Sequence, residues 1–273
     1  MTCRIPPRVR IREDEPVELP HVLLLCDDRS DGLMEWLSGK KEEMRKIYNF
    51  NLMKEGGHIS GWLVSGKLAK DFGKKITFYE NISAEMPYAV GDGNHSLATA
   101  KVCYENYKKT HSDTENANAP ARYAMVELEN IHDKALEFSP IHRIVTETDE
   151  EALLDELQKT CCAPNGYPVQ WYTKERQGVL YLNLNKSRLA VAILQNFLDE
   201  YLKNHRGQMD YIHGEEALKN LEEKENAVGF LLPAMEKREL FPYVTESGTL
   251  PRKTFSMGHA TEKRYYLEAR QIR

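Results

Sequence analysis

The segment Tyr88-Ala-Val-Gly-Asp-Gly-Asn-His-Ser-Leu-Ala-Thr-Ala-Lys101 constrains this chain more than any other. Tyr88–Val90 reads as a short apolar strand and Gly91–His95 as a tight turn. From Ser96 the spacing becomes helical, with Leu97, Ala100 and Tyr104 on one face. A strand that passes through a Gly-x-Gly turn into a helix is a building unit of mixed α/β folds. It is also a chemical feature. The first N–H groups of a helix have no partner within it, and glycines let an anion approach the backbone. Asp92 adds a carboxylate suited to a metal or to a general-base role, and His95 adds a donor that titrates near neutral pH. Asn94 and Ser96 add neutral hydrogen bonds. Without a ligand, the same residues make an ordinary capped turn. The stretch is not a Walker A loop, because it has no Gly-Lys-Ser/Thr. Nor is it a full G-x-G-x-x-G, since Ser96 stands where the third glycine would be.

The rest of the chain alternates in the same way. Pro20–Cys26 reads as a buried strand, followed by a helix from Ser30 or Asp31 to Ser38 that Gly39 stops. Residues 47–54 and 58–65 flank Gly56-Gly57 as a hairpin, and a helix covers 67–80. Thr110–Pro120 reads as a loop, Ala121–Glu129 as a strand and Thr148–Thr160 as a helix with acidic residues in its first turn. Cys161–Pro168 reads as a turn or linker. Strands at 169–174 and 178–184, a helix at 188–204, a strand at 209–213, a helix at 214–223 and a strand at 226–231 follow, then an irregular tail. The pattern predicts a mixed α/β (α+β) fold in two halves, 1–146 and 147–273, with a ligand cleft between them.

Composition narrows the function classes. Thirty-seven Lys and Arg against 42 Asp and Glu give a formal charge of −5, with a pI near 6.0. That balance argues against a dedicated nucleic-acid binder. The longest apolar run, Leu189–Leu194, is far too short to span a bilayer, and the charged N-terminus lacks the apolar stretch of a signal peptide. The five cysteines form no zinc-ligand spacing, and an odd number in a chain of this size is no disulfide framework. Cys161-Cys162 have no visible base partner. A soluble, cytoplasmic protein is the reading that follows.

Longer blocks carry a family resemblance. AVGDGNHSLATAK, ARYAMVELENIHDKALEFSPIHR, MDYIHGEEAL and GFLLPAMEK with LPRKTFSMGHATEKRYYLEAR span most of 86–273. They resemble the domain of unknown function 1015 family, whose members are uncharacterised bacterial proteins. The commoner family form of the turn is D-G-H-H-R. This chain keeps Asp92, Gly93 and His95 but has Asn94 and Ser96 in place of the first His and the Arg. Family members are typically longer at the N-terminus, which implies a chain that begins inside the usual domain. Through the turn, the family is similar to the ParB/sulfiredoxin-like superfamily, which includes a DNA-partition CTPase, an ATP-using sulfinic-acid reductase and an ADP-dependent serine kinase. The resemblance implies a partial domain of that kind over 1–146 and nucleotide phosphate binding around Gly91–Ser96.

The missing Arg calls for another cation. Arg143, at the end of the strand-like Glu137-Phe-Ser-Pro-Ile-His-Arg, is one candidate; a surface Arg paired with Glu137 or Glu147 is the plainer reading. The basic tail offers Arg252, Lys253, Lys263, Arg264, Arg270 and Arg273. Ser256-Met-Gly-His259 is a candidate second anion turn, and Phe255, Tyr265 and Tyr266 are candidate stacking partners for a base. His213-Gly214, at a strand-to-helix step, reads as a turn. The leading expectation is a nucleotide-dependent small-molecule phosphotransferase or nucleotide hydrolase, the nucleotide being ATP, ADP or CTP. Asp92 serves as metal ligand or general base. His95 and the N–H groups of Gly93–Ser96 hold phosphate, while Arg143, Arg252 and Lys253 neutralise charge. Magnesium follows, because phosphates beside a carboxylate recruit it. A non-catalytic nucleotide- or metabolite-binding regulatory module is the alternative from another class. A role with nucleic acid, by analogy to ParB, is a third, against which the charge balance counts.

Overall fold

A computed structural model describes residues 4–19, 22–83, 86–219, 225–258 and 267–273. The chain is mixed α/β and forms two compact units. One comprises residues 1–134 with the terminal segment from 260, the other residues 135–259.

The first unit is built around Leu-Leu-Leu-Cys. After helix α1 (Ile5–Arg12) and the short strand β1 (Val17–Glu18), this apolar run forms β2 (Leu23–Cys26), with Leu25 and Cys26 wholly buried. The helix expected after it is α2 (Gly32–Ser38), closed at Gly39. The predicted hairpin is the antiparallel pair β3 (Arg45–Asn51) and β4 (His58–Leu63). There Gly61 lies under the Tyr48 ring: an added Cβ would come within 2.3 Å of it, so only glycine fits. Helix α3 (Gly66–Ile82) lays Phe72, Ile76 and Tyr79, one helical face, against Cys26 and Leu33. The Tyr79 hydroxyl donates to Pro87 O at 2.7 Å and accepts the Asp27 N–H at 2.9 Å, tying α3 to the sheet.

Strand β5 (Tyr88–Asp92) then runs antiparallel to β2 and leads into α4 (Asn94–Lys108), which begins before the expected Ser96. The expected loop at 110–120 contains a helix, α5 (Asp113–Asn118), set by the reciprocal cap Ser112/Glu115. The strand expected over 121–129 is confined to β6 (Glu127–Asn130), parallel to β2, giving the order β5-β2-β6. The terminal strand Arg270–Gln271 pairs with β1, so the end of the chain packs within this unit.

The second unit is one antiparallel sheet with helices. Strand β7 (Phe138–Thr146) is followed by α6 (Glu150–Cys161), β8 (Cys162–Tyr172) and β9 (Gln177–Leu182). Next come α7 (Ala190–Asn204), β10 (Gln208–His213), α8 (Glu215–Lys219), β11 (Val228–Leu231), α9 (Leu240–Ser247) and β12 (Phe255–Met257). The order is β10-β7-β11-β8-β9, with β12 also on β7. Flanked by three strands, β7 buries Ile141, Ile144 and Val145. Cys161–Pro168 is therefore not a linker: from Cys162 it is the first half of β8. The register shifts between Cys162 and Tyr167, and an added Cβ on Gly166 would meet Leu182 O at 2.2 Å. Pro and Gly here mark a bulge where two backbones approach closely. The irregular tail contains α9, whose Pro242 sits in the first turn, where no N–H is needed. Among the described residues no helix is long and apolar enough to cross a membrane.

Candidate functional site

The Gly-Asp-Gly turn is the junction of β5 and α4. Gly91 is half-buried within β5, and Asp92 ends the strand opposite Leu23, where the β2 register is irregular. Gly93 has φ +85° and ψ +13°, the left-handed conformation that disfavours any side chain. Its N–H donates to Asp92 Oδ1 at 2.7 Å, while its carbonyl accepts the Leu97 N–H at 3.0 Å. The chain thus reverses on the glycine and enters a helix of 15 residues at once. No side chain caps that helix and its first turn holds no acidic residue. The positive end of α4 therefore opens at Asn94, His95 and Ser96, with the Asp92 carboxylate just before it. Asp92, Asn94 and Ser96 are exposed, and His95 is half-buried. The Thr99 hydroxyl donates back to His95 O at 2.7 Å and leaves the first-turn N–H groups untouched.

Two arginines of the charged N-terminal segment, assigned no role from the sequence, stand beside the start of α4. Arg8 and Arg12, one turn apart on α1, line a cavity of ≈ 240 Å³ together with Glu18, Ser96 and Thr99. Arg12 Nε donates to Glu18 Oε2 at 2.6 Å, and its Nη2 is buried without a hydrogen-bond partner. Burial is the largest single influence and works against the Arg12 charge, but the interactions with Glu18 and Cys103 together outweigh it and the pKa is raised. The signal available in the sequence was Pro6-Pro7 opening a helix with Arg at i and i+4.

Arg143 is placed quite differently. It is 0 % exposed and belongs to the second unit. Its Nε donates to Gln195 Oε1 at 2.9 Å, Nη1 to Ile141 O at 2.5 Å and Nη2 to Arg252 O at 3.0 Å. The guanidinium also lies 4.8 Å from the centre of the Tyr211 ring. Burial draws its pKa down to about 10, so it stays charged near neutrality. Neither a surface ion pair nor a ligand face describes it: all three nitrogens are committed to the protein. Arg252 bonds Asp199, which also accepts from Gln195 Nε2 at 2.9 Å, closing a network. Lys253 occupies the turn before β12 with φ +57°. Phe255 stacks on Phe138 at 3.9 Å and so is not a free platform for a base. His213 is exposed at the end of β10, next to Gly214 at φ +86°. His259, Lys263, Arg264, Tyr265 and Tyr266 lie outside the described residues.

Among the described residues no group of three or more His, Cys, Asp or Glu is arranged to hold a metal ion. At the turn Asp92 alone offers a carboxylate, and one of its oxygens accepts the Gly93 N–H.

Comparison with known proteins adds a family and little else. A mutant free serine kinase in complex with AMP aligns with TM-score 0.47 and 11 % identity, over 95 % of this chain and 94 % of that one. A conserved hypothetical protein from Pyrococcus furiosus gives 0.36 and 11 %, over 90 % and 94 %. SbnI with a C-terminal truncation, from Staphylococcus aureus, gives 0.35 and 10 %, over 91 % and 85 %. These scores carry no functional weight. No curated protein matches the chain. The family model described as "Protein of unknown function (DUF1015)" matches residues 1–271, and the chain belongs to that family.

Proposed function

We propose that the first unit binds the phosphate groups of a nucleotide at the Gly93–Ser96 turn and uses them in phosphoryl transfer or hydrolysis. One observation carries the reading: a left-handed Gly93 delivers the chain into a 15-residue helix with no side-chain cap and no acidic residue in its first turn. Backbone N–H groups and the helix dipole then favour an anion, and the missing Cβ lets it come close. Arg8 and Arg12, in the cavity that Ser96 lines, supply the charge that the turn itself lacks. In this reading His95 donates to phosphate and Asp92 serves as general base for an acceptor hydroxyl or water. Magnesium fits on one condition. With a single carboxylate at the turn, the ion would be held by Asp92 together with the ligand's own phosphates, the arrangement magnesium commonly adopts.

Asp92 also supports a second reading. One of its oxygens is already engaged with the backbone beside it, which suits a site that binds without turnover. Calorimetry with ADP and ATP, with and without magnesium, on the parent protein and on Asp92→Ala, His95→Ala and Arg8→Ala tests both. Saturable binding that His95→Ala and Arg8→Ala each weaken supports the phosphate site. If Asp92→Ala abolishes phosphoryl release or transfer but spares binding, the enzyme reading holds; binding without turnover selects the regulatory module. A folded protein that binds neither nucleotide sinks both.

A further inference from the structure

The cavity above α4 is not explained by phosphate binding alone. It measures ≈ 480 Å³, and its lining on α4 extends from Asn94 to Tyr104. Leu97, Ala98 and Ala100 of α4 line it with Ala121 and Ala124, and Tyr123 also lines it. Most of this lining is small and apolar; Tyr104 and Tyr123 add two phenol rings, and Arg122 also lines it, its guanidinium 5.5 Å from the centre of the Tyr123 ring. Such a lining suits a planar aromatic ring, which gains from apolar burial and from ring stacking together. Tyr123 is 60 % exposed, unusually open for so large a side chain. It is nonetheless held: Arg270 donates through both terminal nitrogens to Pro120 O and Tyr123 O, and Arg122 donates to Ala117 O at 3.1 Å. The segment that presents the ring is thus anchored from the terminal strand.

Along α4 the lining residues cover a definite length. Asn94 follows Gly93 directly, and Tyr104 lies ten residues further along the same helix, about 15 Å at 1.5 Å per residue. That is the span of an extended nucleoside diphosphate. Lys101 lines the middle of the run, where a ribose hydroxyl or the first phosphate would pass.

We infer that this groove is the nucleoside subsite: the base stacks on the open side of Tyr123, the ribose lies over Leu97 and Lys101, and the phosphates end at the Gly93 turn. The inference rests on the phosphate reading above but can fail independently of it. Two probes separate them, ADP and inorganic pyrophosphate, titrated by calorimetry into the parent protein, Tyr123→Ala and Ala98→Trp. The second variant fills the groove without touching the turn. ADP binds the parent more tightly than pyrophosphate does. Tyr123→Ala weakens ADP about tenfold, the cost of losing one base-stacking partner, and leaves pyrophosphate unchanged. Ala98→Trp abolishes ADP binding and spares pyrophosphate. If ADP and pyrophosphate bind the parent equally, or if neither variant changes ADP binding, the subsite is wrong and the phosphate reading stands. Equal loss of both ligands in Tyr123→Ala, with an unchanged melting curve, also overturns it. If the parent binds neither probe, both readings fall together. Should Ala98→Trp lose its cooperative melting, the exposed Tyr123 position still decides.

Discussion

The two units treat their strongest hydrogen-bonding groups in opposite ways. In the second, a guanidinium with no exposed surface has every nitrogen bonded to a neighbour, and Gln195, Asp199 and Arg252 complete the network. In the first, the N-terminus of α4 has no side-chain cap, and Asn94 and Ser96 in its first turn are exposed. Buried polar groups cost free energy unless they are paired, so the second unit has converted its cation into architecture. An exposed helix end can remain open because water satisfies it until a ligand arrives. A residue's chemical type therefore says little about ligand binding until its partners are counted. Arg143 and Arg8 are both arginines, but one has its donors committed inside a core and the other lines a cavity.

The sharpest way to break this contrast is Arg143→Ala. It leaves Gln195 Oε1 and two carbonyls without their donor and opens a void in the sheet. A loss of about 3–5 kcal/mol is expected, read from urea unfolding. A loss under about 1 kcal/mol would mean that the network is not what organises this core. Arg143→Met, which keeps much of the volume, should cost less, because part of the damage is steric.

Gly93→Val tests the other side. A β-branched residue at φ +85° strains the backbone by at least the ~1–2 kcal/mol of a left-handed non-glycine residue. It also places methyl groups where phosphate would sit. Reduced melting temperature together with lost pyrophosphate binding is the expected pair of results. Retained binding at parental affinity would move the anion site away from the turn.

His142 gives a pH signature specific to the second unit. It is buried, its Nδ1 accepts the Leu232 N–H at 3.1 Å, and burial together with the neighbouring Arg143 and His213 charges, against the opposing pull of Glu215, lowers its pKa from 6.5. The unfolded chain then binds a proton that the folded chain refuses. The His142 contribution is therefore full above about pH 6.5 and is lost as pH falls from there towards the depressed folded value. Urea midpoints at pH 5, 6 and 7 should show this slope, and His142→Gln should flatten it. An equal slope in the variant would assign it to other groups.

Much of the fold was legible because its elements are set locally. The apolar run of β2, the Gly56-Gly57 hairpin and the heptad-like face of α3 announce themselves by period and turn chemistry. What was missed depends on contacts distant in sequence. Gly166 reads as a linker glycine until Leu182 is brought against it, and Arg143 reads as a surface cation until three strands enclose its strand. The tail reads as irregular, yet it contains α9, with Pro242 in its first turn. At the site, Gly93 and its neighbours were visible because a turn is a local object. Arg8, Arg12 and Tyr123 were not, since only tertiary packing sets them beside α4.

Asn94→Asp produces the smallest effect and separates stability from function most cleanly. Asn94 is the first residue of α4, exposed and without an acidic neighbour in that turn. A carboxylate there complements the helix dipole and should raise stability by about 0.3–1 kcal/mol at low salt. The same charge would occupy the field meant for a phosphate, so pyrophosphate and ADP should both bind more weakly, and the loss should shrink as salt screens the repulsion. If Asn94→Asp is more stable and binds both probes as well as the parent, the bare N-terminus of α4 is an unfilled cap, and the contrast between the two units reduces to burial alone.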